Sequence, residues 1–238
     1  MNGVLGVLLL IAVPGRAETV KKPAPHIYSR ADWGAPARSG GGLNKDKVRI
    51  IIHHSDNPVD DETKALEDAE SWEAAASHAR NIRAVHRQAN GWRDIGYHYL
   101  VDWDGRLLEG RAVDRLGSHT DKHNSGSIGI VLMGDFSRQK PTLAQVLALK
   151  RLCAWLLREH EIAPEEIYGH RDFNATECPG RNFYEKEDPD SMLLVVRRAL
   201  VAETKLSRSI HVNKDLGRLK AMTGLPLFLP RAPVLVIP

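Results

Sequence analysis

The chain has 238 residues, of which 42% are hydrophobic, 26% charged and only 6% aromatic. That is an ordinary globular composition, long enough for one moderate domain with extensions and a core of its own. The formal net charge is +3, with two cysteines; acids and bases are interspersed, which excludes nucleic acid as the expected partner, leaves an anionic polymer such as a cell wall open, and excludes a disulfide framework.

Residues 4–13 form an apolar run followed by Pro14, Gly15, Arg16 and Ala17. Gly15 and Ala17 suit the small-residue positions of a signal-peptidase site, and the run is about half the ~20 residues that a spanning helix needs. Residues 1–17 are therefore expected to be a signal peptide, with export to the periplasm or beyond and no transmembrane anchor in the mature chain. Met1-Asn2-Gly3, ahead of the run, carries no Lys or Arg. Residues 18–26 are Lys/Pro-rich and read as a linker, and the folded part is expected to begin at Ile27.

Residues 48–53 (VRIIIH) are apolar and β-branched, which predicts a strand buried on both faces. Residues 65–89 are rich in Ala, Glu and Arg, with Ala75, Ala79, Ile82, Val85 and His86 at helical spacing and Gly91 beyond the end. Residues 97–101 and 106–108 flank Asp104-Gly105, a hairpin signal. Residues 127–133 (SIGIVLM) predict another buried strand. Thr142-Leu143-Ala144-Gln145 matches a capping box, and the helix after it aligns Val146, Leu149, Cys153 and Leu156. Residues 166–169 read as a short strand or turn before His170, and residues 191–204 as a last helix. Strands and helices interleave except at the hairpin, which predicts an α/β fold: a mixed central sheet flanked by helices.

The chemistry is concentrated in two places. His53 and His54 close the first strand, where a sheet holds side chains rigidly while they face the loops. Far along the chain, the polar loop HRDFNATECPG carries His170 and Cys178. Two imidazoles and a thiolate leave the fourth tetrahedral position of a zinc ion open, the arrangement of a catalytic rather than a structural site. Eleven histidines make chance pairs easy, and Cys178 could equally form a disulfide with Cys153 in an exported protein. Cys153, on an apolar helix face, reads by default as a buried free thiol.

The wording of four motifs shifts this balance. IIIHHSD, GWRDIGYHYLVDWDGRLLEGR, LGSHTDKHNSGSIGIVLMGDF and GHRDFNATECPG, in that order, resemble the family of peptidoglycan recognition proteins and phage-type N-acetylmuramoyl-L-alanine amidases. The resemblance covers roughly residues 27–184, leaving residues 185–238 as a C-terminal helix and extension of unknown role. It implies a zinc amidase, with one Zn2+ per chain held by His53, His170 and Cys178, and with peptidoglycan or muropeptides as partners. Family members that only bind peptidoglycan have typically lost the cysteine. The family's catalytic tyrosine falls on Tyr97, and Thr176 stands where active members carry Lys or Thr. His119 corresponds to a histidine beside the cleft and, with Trp92, is expected on the substrate side. Trp33, Trp72, Trp103 and Trp155 are expected to be packing residues, and Glu109-Gly110-Arg111 a structural ion-pair element. The alternatives are a non-catalytic receptor on the same fold and a cytoplasmic amidase that recycles wall fragments.

Overall fold

A computed structural model describes residues 23–37, 41–56 and 72–223, by backbone alone at 208 and 211–223. The expected leader, most of the linker, the first part of the predicted helix over residues 65–89 and the Leu/Pro-rich end lie outside the described residues. The elements in order are β1 (Arg49–His54), α1 (Trp72–Gln88), β2 (Tyr99–Val101), β3 (Leu107–Glu109), β4 (Ser127–Leu132), α2 (Leu143–Glu159), β5 (Ile167–Gly169) and α3 (Met192–Thr223).

The five strands form one mixed sheet in the order β3-β2-β4-β1-β5. β1 runs parallel to both β4 and β5, and only β3, the second arm of the hairpin, is antiparallel to its neighbour. Ile50, Ile51 and Ile52 are all fully buried, because helices cover both faces of the central strands. On one face, Leu149, Leu152, Cys153 and Leu156 of α2 and Leu193, Val196 and Leu200 of α3 pack against Ile50, Ile52, Ile128, Ile130 and Leu132. On the other, Ala76, Ala79 and Ile82 of α1 meet Leu100, Leu108, Val131 and Met133, with Trp33 closing the layer. Val85, aligned with that face in the sequence, is instead 48% exposed.

Local signals act where the sequence places them. The Thr142 hydroxyl accepts from the Gln145 amide (3.1 Å), and the Gln145 side chain accepts from the Thr142 amide (3.1 Å). Gly105 takes φ +78° in the hairpin turn, and the Asp102 carboxylate accepts from the Arg106 amide and guanidinium. The last helix runs to Thr223, well past residue 204. Arg111 departs from expectation: rather than pairing with Glu109, its guanidinium donates to the carbonyls of Ile95, Asp94 and Leu116. The buried ion pair here is Arg30–Asp94 (2.7 Å), joined by Arg83 (2.8 Å).

Among the described residues, no helix is long and apolar enough to cross a membrane.

Candidate metal centre

The sheet order creates the site. β5 ends at Gly169, paired with Ile52, so His170 emerges beside His53 although the two are far apart in sequence. The His53 and His170 ring centroids lie 4.6 Å apart. Cys178 returns to the same point, with Arg171 donating its amide to the Cys178 carbonyl (3.1 Å). One ligand atom each from His53, His170 and Cys178 lies within 4.8 Å of the others.

The donor set fits a zinc ion in kind and in spacing. Cys178 Sγ is 3.6 Å from His53 Nδ1, close to the ~3.5 Å separating a nitrogen and a sulfur bound to one tetrahedral zinc. The opposite nitrogens are occupied: His53 Nε2 is 3.1 Å from His119 Nδ1 and 3.5 Å from Thr120 Oγ1, and His170 Nε2 is 3.1 Å from Asn174 Oδ1. Burial, reinforced by His119 and His170, holds His53 well below the usual histidine range, and burial also lowers His170. Both are therefore neutral at pH 7, the form in which imidazole donates a lone pair. Burial pushes the Cys178 thiol up to about 12, so its thiolate calls for a cation alongside, even with the His54 amide donating to the sulfur (3.4 Å). Both cysteines are unpaired, Cys153 in the core on α2 and Cys178 beside the end of β1.

The other residues singled out in the sequence surround this point. The half-buried Tyr97 ring is 5.1 Å from His53, and burial raises its hydroxyl far above the usual tyrosine range, with Cys178 and Asp56 adding to the effect. Thr176 Oγ1 accepts the Cys178 amide (3.2 Å), which leaves its hydroxyl proton free to be donated. His119 is only 7% exposed, packed edge-on against both His53 and His98. Trp92 is half-buried and packs at a tilt against His86 (4.7 Å), which in turn lies 5.2 Å from Tyr97. Trp33 is core, while Trp72 packs on Tyr28 and Trp155 on Tyr99.

Two residues that no sequence pattern flagged hold this arrangement. The buried His98 accepts the Gly129 amide at Nδ1 (2.9 Å) and meets the Arg115 carbonyl at Nε2 (2.9 Å), which fixes its proton on Nε2. Asn124 Oδ1 accepts the amides of both His119 (2.8 Å) and Thr120 (3.0 Å). A histidine next to a motif tyrosine was the only signal for the first. The second had none.

His54, Asp56 and Asp135 form another group with ligand atoms within 4.8 Å. Two of them have protein partners: Phe136 donates its amide to His54 Nδ1 (3.2 Å) and Ser137 to Asp135 Oδ1 (2.9 Å). This network closes the loop between β4 and α2.

The N-acetylmuramoyl-L-alanine amidase family matches residues 44–181. Peptidoglycan-recognition protein SC2 of Drosophila simulans is 35% identical over 179 residues, 74% of this chain and 91% of the relative. Among solved structures, peptidoglycan recognition protein-LE in complex with tracheal cytotoxin, described as monomeric diaminopimelic acid-type peptidoglycan, superposes with a TM-score of 0.59. It is 27% identical, over 67% of this chain and 91% of that one. The N-acetylmuramoyl-L-alanine amidase LysC of Clostridium intestinale superposes with a TM-score of 0.53 at 26% identity, over 67% and 92%.

Proposed function

The chain belongs to the N-acetylmuramoyl-L-alanine amidase family, and we propose that it is an active member, a zinc-dependent hydrolase that cleaves the amide between N-acetylmuramic acid and L-alanine in peptidoglycan. The observation that carries the reading is the convergence of His53, His170 and Cys178 within 4.8 Å. Three protein donors would leave an ion held there accessible to water or substrate, whereas a structural zinc takes four.

One zinc per chain, when bound there, would supply a Lewis acid and a water acidified towards neutral pH. The protein's own part is to place donors where negative charge develops on the amide oxygen. Burial keeps Tyr97 protonated, so its hydroxyl is a permanent donor. Thr176, anchored through its oxygen to the Cys178 amide, turns its proton towards the substrate. Each such donor lowers the barrier by ~3–4 kcal/mol. His119, 3.1 Å from His53 Nε2, keeps that ring in place, and the half-buried Trp92 is the aromatic side chain offered to the muropeptide.

Cys178→Ser tests the reading: the variant should fold, lose zinc and release no L-alanine-terminated peptide from a purified muropeptide. Full turnover by that variant would overturn the assignment. The apolar run and the small residues Gly15 and Ala17 support export as part of this proposal, and N-terminal sequencing of the exported protein should read from Glu18; an intact Met1 would remove the proposal of export.

A further inference from the structure

Of the two candidate histidine donors, His53 sits within a strand, whereas His170 lies just beyond one, in a turn, so something must fix its ring. Its backbone is held by a 3-10 turn, in which the Phe173 and Asn174 amides both donate to the His170 carbonyl (3.0 and 3.2 Å). Asp172 pins that turn by accepting the Gly169 amide (2.9 Å) and the Tyr184 hydroxyl (2.9 Å). None of these bonds sets the rotation of the imidazole or decides which nitrogen carries the proton. The polar side chain in hydrogen-bond contact with the ring is Asn174, whose Oδ1 lies 3.1 Å from His170 Nε2.

Resting on the zinc reading above, we infer that Asn174 is the positioning residue of His170. Its amide oxygen takes the Nε2 proton, fixes that tautomer and leaves Nδ1 as the lone-pair nitrogen turned to the metal. The same logic holds His53, whose Nε2 faces His119 Nδ1 and Thr120 Oγ1 while Nδ1 faces Cys178 Sγ. The two histidines are thus presented alike, each held from behind through Nε2. Asn174 is tied to His170 twice, through backbone and side chain, so the tether is short and loses little entropy when the metal binds. Partners of this kind make the ligand more basic and stop the ring from turning away, and removing one typically costs 10–100-fold in metal affinity.

The test uses the full chain stripped of metal and titrated with zinc against a chromophoric chelator. Asn174→Ala should bind zinc roughly 10–100-fold more weakly than wild type, and Asn174→Asp, which restores an oxygen acceptor, should recover most of the loss. A long-range proton–nitrogen NMR correlation of the metal-free protein should find His170 as the Nε2–H tautomer in wild type and a tautomer mixture in Asn174→Ala. Thermal unfolding of the metal-free variants checks that the fold is kept. Wild-type affinity in Asn174→Ala, equal weakness in the Ala and Asp variants, or an Nδ1–H tautomer in wild type would each overturn the role of Asn174. Wild-type protein that takes up no zinc would overturn the metal reading itself, while the tautomer measurement would still report on the contact.

Discussion

A single methyl group added at Gly129 should loosen the candidate metal centre from beneath. Gly129 lies in the middle of β4, where a glycine weakens a strand and often marks a close approach. A Cβ there would lie 2.5 Å from His119 Cδ2 and 2.6 Å from Cγ, against an ordinary contact of 3.4 Å or more. The ring would have to retreat by about 0.9 Å. It has little room, because Gly117 approaches the same ring so closely that its own Cβ would come within 2.6 Å. A shift of that size would stretch the 3.1 Å contact between His119 Nδ1 and His53 Nε2 beyond hydrogen-bond range. Overpacking of this sort costs about 1–3 kcal/mol, which for a domain of this size is a fall in Tm of roughly 2–12 °C. Zinc affinity should fall as well, by up to ~10–100-fold, since His53 loses an orienting partner. Thermal unfolding and chelator competition on Gly129→Ala measure the two effects. Gly42→Ala is the control, because a methyl group on Gly42 would meet nothing within 4 Å. Wild-type Tm and zinc affinity in Gly129→Ala would mean that the His119 ring does not depend on the close approach of Gly129.

Three further outcomes follow from the site and its supports. Tyr97→Phe and Thr176→Val should each lower kcat by roughly 10²–10³ with little change in KM, provided that zinc content is unchanged; full kcat in zinc-loaded Tyr97→Phe would remove its catalytic role. Burial lowers His98 from 6.5 to about 4, so the folded state keeps it neutral while the unfolded state takes up a proton. Its contribution is intact above about pH 6.5 and is lost as pH falls towards 4, a change of about 3 kcal/mol. The stability gap between wild type and His98→Gln, followed by urea unfolding, should narrow over that window; a gap independent of pH would contradict it. Thiol titration of chelated, denatured protein without reductant should count two free cysteines, and a Cys153–Cys178 crosslink in active protein would contradict the ligand assignment.

The sequence made the local structure legible because its signals are local. Three consecutive isoleucines need two covered faces, Asp104-Gly105 needs a tight turn, and Thr142 with Gln145 needs a helix start; each is found where expected. The motif order carried the family, and with it which histidines and which cysteine to watch. What the sequence could not carry is tertiary. That His170 comes beside His53 depends on β5 pairing with β1, a choice of sheet order that no spacing encodes. Val85 follows the helical period yet faces solvent, because the period locates a stripe but not its edges. Arg111 serves backbone carbonyls instead of Glu109, since loops leave carbonyls unpaired that a buried guanidinium can satisfy. Asn124, His98 and Asn174 act through hydrogen bonds set by side-chain rotation, and a polar residue in a loop gives no sign of that in its letter.

The most direct test is to digest peptidoglycan with the purified protein and identify the new ends by mass spectrometry, with and without chelator. Peptides with a free L-alanine amino group and glycan strands with bare muramic acid lactyl groups should appear. They should disappear on chelation and return when zinc alone is added back. Binding to peptidoglycan without new ends, or cleavage that survives removal of the metal, would contradict it.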